Sequence, residues 1–146
     1  MRRLSGPAFA AALAFATPVS GAGAGLWELT SPTPGAPLCM AALQGTSVDI
    51  QILRNRDDKM ILVPGHPDWH AKFEPLKLTL SIDGGAPVTL DGNPLGAVVF
   101  VVIADDALAA RIKTAKALAW NFPWGDFEQS VDGIGAAYDA IGICPG

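Results

Sequence analysis

His66-Pro67-Asp68-Trp69-His70 gathers both histidines of the chain and one carboxylate into five residues. Neutral imidazoles and carboxylates that converge on one point are what a zinc-type ion takes, which makes His66, Asp68 and His70 the candidate metal ligands. The i, i+4 spacing of the two rings would suit a helix, but Pro64, Gly65 and Pro67 make the segment a loop. No third or fourth ligand beyond this loop is identifiable. A polar surface loop is the plainer reading, and a metal-assisted hydrolase built on these three residues is the alternative.

A second cluster is aromatic. Trp120, Phe122 and Trp124 alternate around Asn121 and Pro123, which sets three rings on one side of an extended stretch. If exposed, such a row can stack a sugar or peptide ligand, because flat apolar faces need little ordering to bind. The other reading is that they pack beneath the last helix. Trp69 joins these three as a candidate ligand-binding residue, through the loop that carries it.

Nucleophilic and acid–base chemistry find less support. Beyond the leader the serines are Ser31, Ser47, Ser81 and Ser130, each with a structural place in a turn, strand or helix cap, and none lies in a nucleophile-elbow sequence. The carboxylate pairs Asp57-Asp58, Asp105-Asp106 and Asp126/Glu128 suit turns and helix starts better than general acid–base work. The sixteen glycines form no phosphate-cradling loop. No catalytic residue and no cofactor is therefore assigned.

The two cysteines, Cys39 and Cys144, stand near opposite ends of the domain. They form no Cys-x-x-Cys motif and have no neighbouring histidines. In an oxidising compartment such a pair is most simply a structural disulfide.

That compartment is indicated by the first two dozen residues. Met1-Arg2-Arg3 is a positive start, and Pro7 to Val19 is uncharged and almost wholly apolar or small. Ala22-x-Ala24 then offers the small side chains that a leader peptidase accepts. The expectation is a signal peptide over residues 1–24, cut after Ala24, and a single domain over residues 25–146. The apolar run is shorter than the roughly 20 residues that span a bilayer, so no membrane anchor is expected. Loss of Arg2 and Arg3 takes the net charge from −4 to −6. A domain this acidic should shun nucleic acid and anionic membranes.

The elements follow from periodicity. Val48, Ile50 and Ile52 alternate with polar residues, and Leu76, Leu78, Leu80 and Ile82 do the same. Asp83-Gly84-Gly85 predicts a tight turn leading to a partner strand at 88–90. Asp91-Gly92-Asn93-Pro94 is expected to turn again. Residues 97–103 are uncharged throughout and predict a central strand covered on both faces. Asp105-Asp106 should open a helix with Leu108, Ile112 and Ala115 on its buried face. Ser130 should cap a last helix in which Ile134, Tyr138 and Ile141 align, and Gly133 and Gly135 should let it lie closely on the sheet. The fold class is mainly β (α+β): one antiparallel sheet or β-sandwich with two helices, the last at the C-terminus, closed by the disulfide.

This layout resembles the invasion-associated locus B type of periplasmic protein. The resemblance lies in the leader, Trp27 on the first strand, Leu38-Cys39-Met40, the alternating β body and the ending Ser130-Val131-Asp132-Gly133. Many members carry a further internal cysteine pair, which this chain lacks. The resemblance implies an accessory envelope protein without a defined catalytic site. The functional expectation is a periplasmic or secreted accessory or binding protein, not integral to the membrane, whose partner is a protein or a small envelope ligand. An acidic inhibitor or immunity-type protein is a further alternative.

Overall fold

Period-two patterning dominates the chain, and strands dominate the structure, a computed structural model that describes residues 16–18, 27–44 and 48–145. The leader expected over 1–24 lies, apart from 16–18, outside the described residues, as does Ser47. The described residues form ten strands: β1 (Ala16–Pro18), β2 (Glu28–Thr30), β3 (Met40–Leu43), β4 (Asp49–Arg54), β5 (Met60–Gly65), β6 (Leu76–Ile82), β7 (Val88–Leu95), β8 (Val98–Ile103), β9 (Ala117–Phe122) and β10 (Gly125–Ser130). Two helices join them, α1 (Asp106–Lys113) and α2 (Ile134–Ala140).

The strands lie in the order β1-β2-β3-β4-β5-β8-β7-β6-β9-β10, each antiparallel to its neighbour. The nine strands from β2 onward curl into a half-barrel, and β1 adds three residues to the β2 edge. The expected antiparallel sheet with two helices is thus formed as one curled sheet rather than two packed ones.

The two halves of the sheet share β7. The composition of residues 91–94 predicts a turn, yet β7 continues to Leu95 and the chain turns at Gly96, where φ is +71°. β7 pairs with β6 up to Gly92 and with β8 from Asn93 onward, so one strand serves both halves of the sheet. A Cβ on Gly92 would stand 2.8 Å from both Leu78 Cδ2 and Val99 Cγ1. The missing side chain lets the two halves fold toward each other, a use of strand glycine that explains why Gly92 does not mark a turn.

Alternation then separates the faces. Ile50, Ile52, Leu62, Leu80, Val99, Val101 and Leu118 are wholly buried on the concave side, where Leu108 and Ile112 of α1 and Ile134 and Ala137 of α2 complete one core. Asp105 caps α1 by accepting from the Ala107 and Leu108 amides. The expectation that β8 is covered on both faces needs correction: its inward residues are buried, but Val102 is 44% exposed and Val98 and Phe100 are half-buried.

The C-terminal reading also needs correction. Residues 125–130 form β10, with Ser130 opposite Ala117, so Ser130 does not cap a helix. The Asp126/Glu128 pair lies on this strand and not in a turn or helix start. α2 begins at Ile134 behind Gly133, whose φ of +88° suits glycine. Gly135 packs on α1, not on the sheet: a Cβ there would meet Lys113 O at 2.4 Å. Lys113 Nζ reaches Asp139 Oδ1 at 2.6 Å across the same helix pair. Ile134, Tyr138 and Ile141 are buried, as their spacing predicted.

Cys39 and Cys144 are joined by a disulfide, with Cα atoms 5.0 Å apart. Backbone bonds hold the tail on both sides of it, from Gly142 N to Leu38 O at 2.9 Å and from Cys144 N to Arg54 O at 2.8 Å. Trp27 Nε1 donates to Asp132 O at 3.0 Å, and Gln129 Nε2 donates to Val48 O. These contacts tie the β2 end of the sheet to the β10 end.

Candidate functional site

The two segments singled out in sequence meet at one end of the half-barrel. Residues 66–71 leave β5 and are pinned to the β7–β8 turn: His66 N donates to Ala97 O at 3.0 Å, and Ala71 N to Gly96 O at 3.2 Å. The pinned loop drives the Trp69 indole into the β9–β10 hairpin. Its ring centroid lies 5.0 Å from Phe122, 5.4 Å from Trp124 and 5.3 Å from Phe127. Phe122 in turn stacks on Trp120 at 5.7 Å and on Trp124 at 5.2 Å. These separations are those of favourable aromatic pairs.

Exposure divides the four candidate aromatics. Trp69 (6%), Trp120 (1%) and Phe122 (2%) belong to the core, while Trp124 is 38% exposed. The row is therefore a buried stack with one ring at the surface, and Trp69 is its keystone. Phe73, two residues past the Ala71–Gly96 bridge, is 75% exposed. Phe73 was not singled out in the sequence, because nothing in its local pattern marks it.

The histidines take a different part. Asp68 N donates to His66 Nδ1 at 3.0 Å, and Asp68 Oδ2 lies 3.8 Å from the same nitrogen. His66 thus uses that nitrogen to shape its own loop, and His70 is exposed. Among the described residues no group of three or more His, Cys, Asp or Glu is gathered as a metal site would need, so the geometry does not bring His66, Asp68 and His70 together as ligands.

Elsewhere the carboxylates do structural work. Asp83 Oδ1 accepts from the Lys116 and Ala117 amides, each at 2.9 Å. These two backbone bonds hold its carboxyl below the ordinary value of 3.8. Lys59 Nζ donates to Asp106 Oδ1 at 2.9 Å, which raises the ammonium above its ordinary 10.5. Arg54 Nε meets Asp58 at 3.2 Å while its guanidinium lies 4.4 Å over the Tyr138 ring. A shallow groove of about 480 Å³ lies on the convex face of β6, β9 and β10, lined in part by Thr79, Ser81, Asn121, Asp126 and Glu128. Among the described residues no helix is long and apolar enough to cross a membrane.

Fold and site together define a disulfide-closed, half-barrel β domain with a locked aromatic cluster at one end. No known family's sequence profile matches the chain, and no curated protein matches it in sequence. In fold it is similar to the crystal structure of invasion associated protein B from Bartonella henselae, with a TM-score of 0.59 at 17% identity. The match covers 82% of this chain and 92% of that one. At this identity the likeness is one of fold.

Proposed function

We propose that the chain is an exported accessory or binding protein, without a catalytic site, that contacts its partner through the aromatic end of the half-barrel. The observation that carries this reading is Trp124, 38% exposed and backed on one face by Phe122 and on its edge by Trp69. A ring held this way loses little freedom on binding, and a rigid surface aromatic is a common anchor in interfaces. The partner class is a protein or a small envelope ligand with a flat apolar face. Export to the periplasm or beyond is supported by the Cys39–Cys144 bridge, since such bonds persist outside the reducing cytoplasm.

Affinity capture from the cell envelope, comparing the tagged protein with its Trp124→Ala and Trp120→Ala variants, tests this reading. Trp124→Ala loses stacking on two rings, about 1–3 kcal/mol, and should stay folded while its specific partner disappears. Trp120→Ala, a core truncation of roughly 3–5 kcal/mol, should instead lower the unfolding midpoint sharply. Undiminished capture by folded Trp124→Ala sinks the assignment of this surface.

A further inference from the structure

We infer that Cys144 is the sulfur through which the bridge is made and opened: it takes the mixed disulfide with an external disulfide oxidant, and Cys39 resolves it. The two half-cystines are held very differently. Cys39 is wholly buried and immediately precedes β3, whose Met40 pairs with Thr30 on one side and with Leu53 on the other. Leu38, before it, packs against the core, and its carbonyl accepts from Gly142 N. Bringing the Cys39 sulfur out to a partner would mean parting β3 from its neighbours. Cys144 lies beyond α2 in a tail that belongs to no helix or strand, half-buried between the exposed Ile143 and Pro145. Past Gly142 this tail is seated by the bond from Cys144 N to Arg54 O at 2.8 Å. In the reduced fold, breaking that bond lets Cys144 swing out, whereas freeing Cys39 requires loss of strand pairing. Local opening of a tail is far more populated than opening of a paired strand.

Topology places this chemistry after folding. The cysteines are 105 residues apart, with β4 to β10 and both helices between them. The seat of the tail is built from Leu38, from Arg54 of β4 and from the end of α2, so the sulfurs meet once the sheet is paired and Cys39 is already covered. Exchange requires a thiolate to reach one sulfur of the incoming disulfide. The Cys144 thiolate attacks, the oxidant's S–S bond breaks, and the oxidant's other sulfur leaves as a thiolate that takes up the displaced proton. Cys39, its Cα 5.0 Å from that of Cys144 in the closed form, then gives up its proton and attacks Cys144 Sγ. The mixed disulfide breaks, and the second oxidant sulfur leaves as a thiol. Two protein thiols are oxidised and one external disulfide is reduced. The oxidant is thus a small molecule or a protein with an exposed, readily reduced disulfide. A reducing thiol opens the bridge along the same path, by attack on Cys144 Sγ. None of these steps involves the aromatic end of the half-barrel.

A pulse of limiting iodoacetamide on the reduced protein, in native buffer and in urea, tests this, with peptide mass mapping to read which cysteine is labelled. In native buffer Cys144 should label about tenfold or more faster than Cys39, and in urea the two should label about equally. Oxidised glutathione then serves as a defined disulfide oxidant. Cys39→Ser should accumulate the mixed disulfide at Cys144 about tenfold faster than Cys144→Ser accumulates it at Cys39. Should either serine variant fail to fold, as read by tryptophan fluorescence, the pulse on the parent chain decides. Equal labelling in native buffer, faster labelling of Cys39, or equal glutathione uptake by the two folded variants overturns the inference.

Discussion

Replacing Gly135 by alanine sets two physical effects against each other, and the structure decides the sign. In an exposed helix, Gly→Ala stabilises by about 1 kcal/mol, because glycine has more backbone freedom to lose. Gly135 lies in the first turn of α2, where propensity alone favours the change. An added Cβ, however, would stand 2.4 Å from Lys113 O and 3.2 Å from Lys113 C, about 1 Å inside an ordinary contact with the oxygen. The obstacle is the backbone of α1, which cannot rotate aside as a side chain would. The Lys113–Asp139 ion pair and the buried Ile112 and Ile134 hold the two helices together. Overpacking of this kind costs about 1–3 kcal/mol, occasionally more. With a backbone oxygen at 2.4 Å the cost falls in the upper part of that range, about 2–3 kcal/mol, so the expected net is a destabilisation of about 1–2 kcal/mol, or roughly 4–8 °C in Tm for a domain of this size. Urea unfolding of the oxidised protein, followed by tryptophan fluorescence, measures it directly. Gly142→Ala is the control: a Cβ there meets nothing within 4 Å, and its midpoint should barely move. A Gly135→Ala protein as stable as the parent, or more so, would refute the close helix contact.

Two further outcomes follow from the staple and from Asp83. Reducing and alkylating Cys39 and Cys144, 105 residues apart, should cost about 4–5 kcal/mol on the chain-entropy account; a loss below about 1 kcal/mol in urea titrations would show that the tail's backbone bonds suffice. The Asp83 carboxyl is held below its ordinary 3.8 by the amides of Lys116 and Ala117, so its contribution is present above that value and lost as pH falls through the lower, folded value. Asp83→Asn should therefore flatten the acid limb of Tm against pH, and an unchanged acid limb would assign that limb to other groups.

Much of the strand pattern was legible because burial on one face writes itself into alternate residues: Val48, Ile50 and Ile52, or Leu78, Leu80 and Ile82. The helix start at Asp105 and the turn at Asp83 were equally readable, since each depends on local chemistry, and two cysteines leave a single intramolecular pairing. Gly92 misled, because a glycine beside Asn and Pro has the composition of a turn whether it turns the chain or makes room for Leu78 and Val99. β10 was missed because Gly125–Ser130 has few apolar residues, and its outward face is Asp126, Glu128 and Ser130. It is a strand because β9 supplies its hydrogen bonds.

The candidate site shows the same division. Sequence alone identified the aromatics and placed Trp69 near a loop, but not that this loop crosses to the hairpin and buries three of the four rings. Residue types and their spacing along the chain set which faces are apolar, where local turns and caps form, and the acid balance. Tertiary structure decided which apolar face finds a cover and which stays open, because a side chain's burial depends on residues distant in sequence that fold against it.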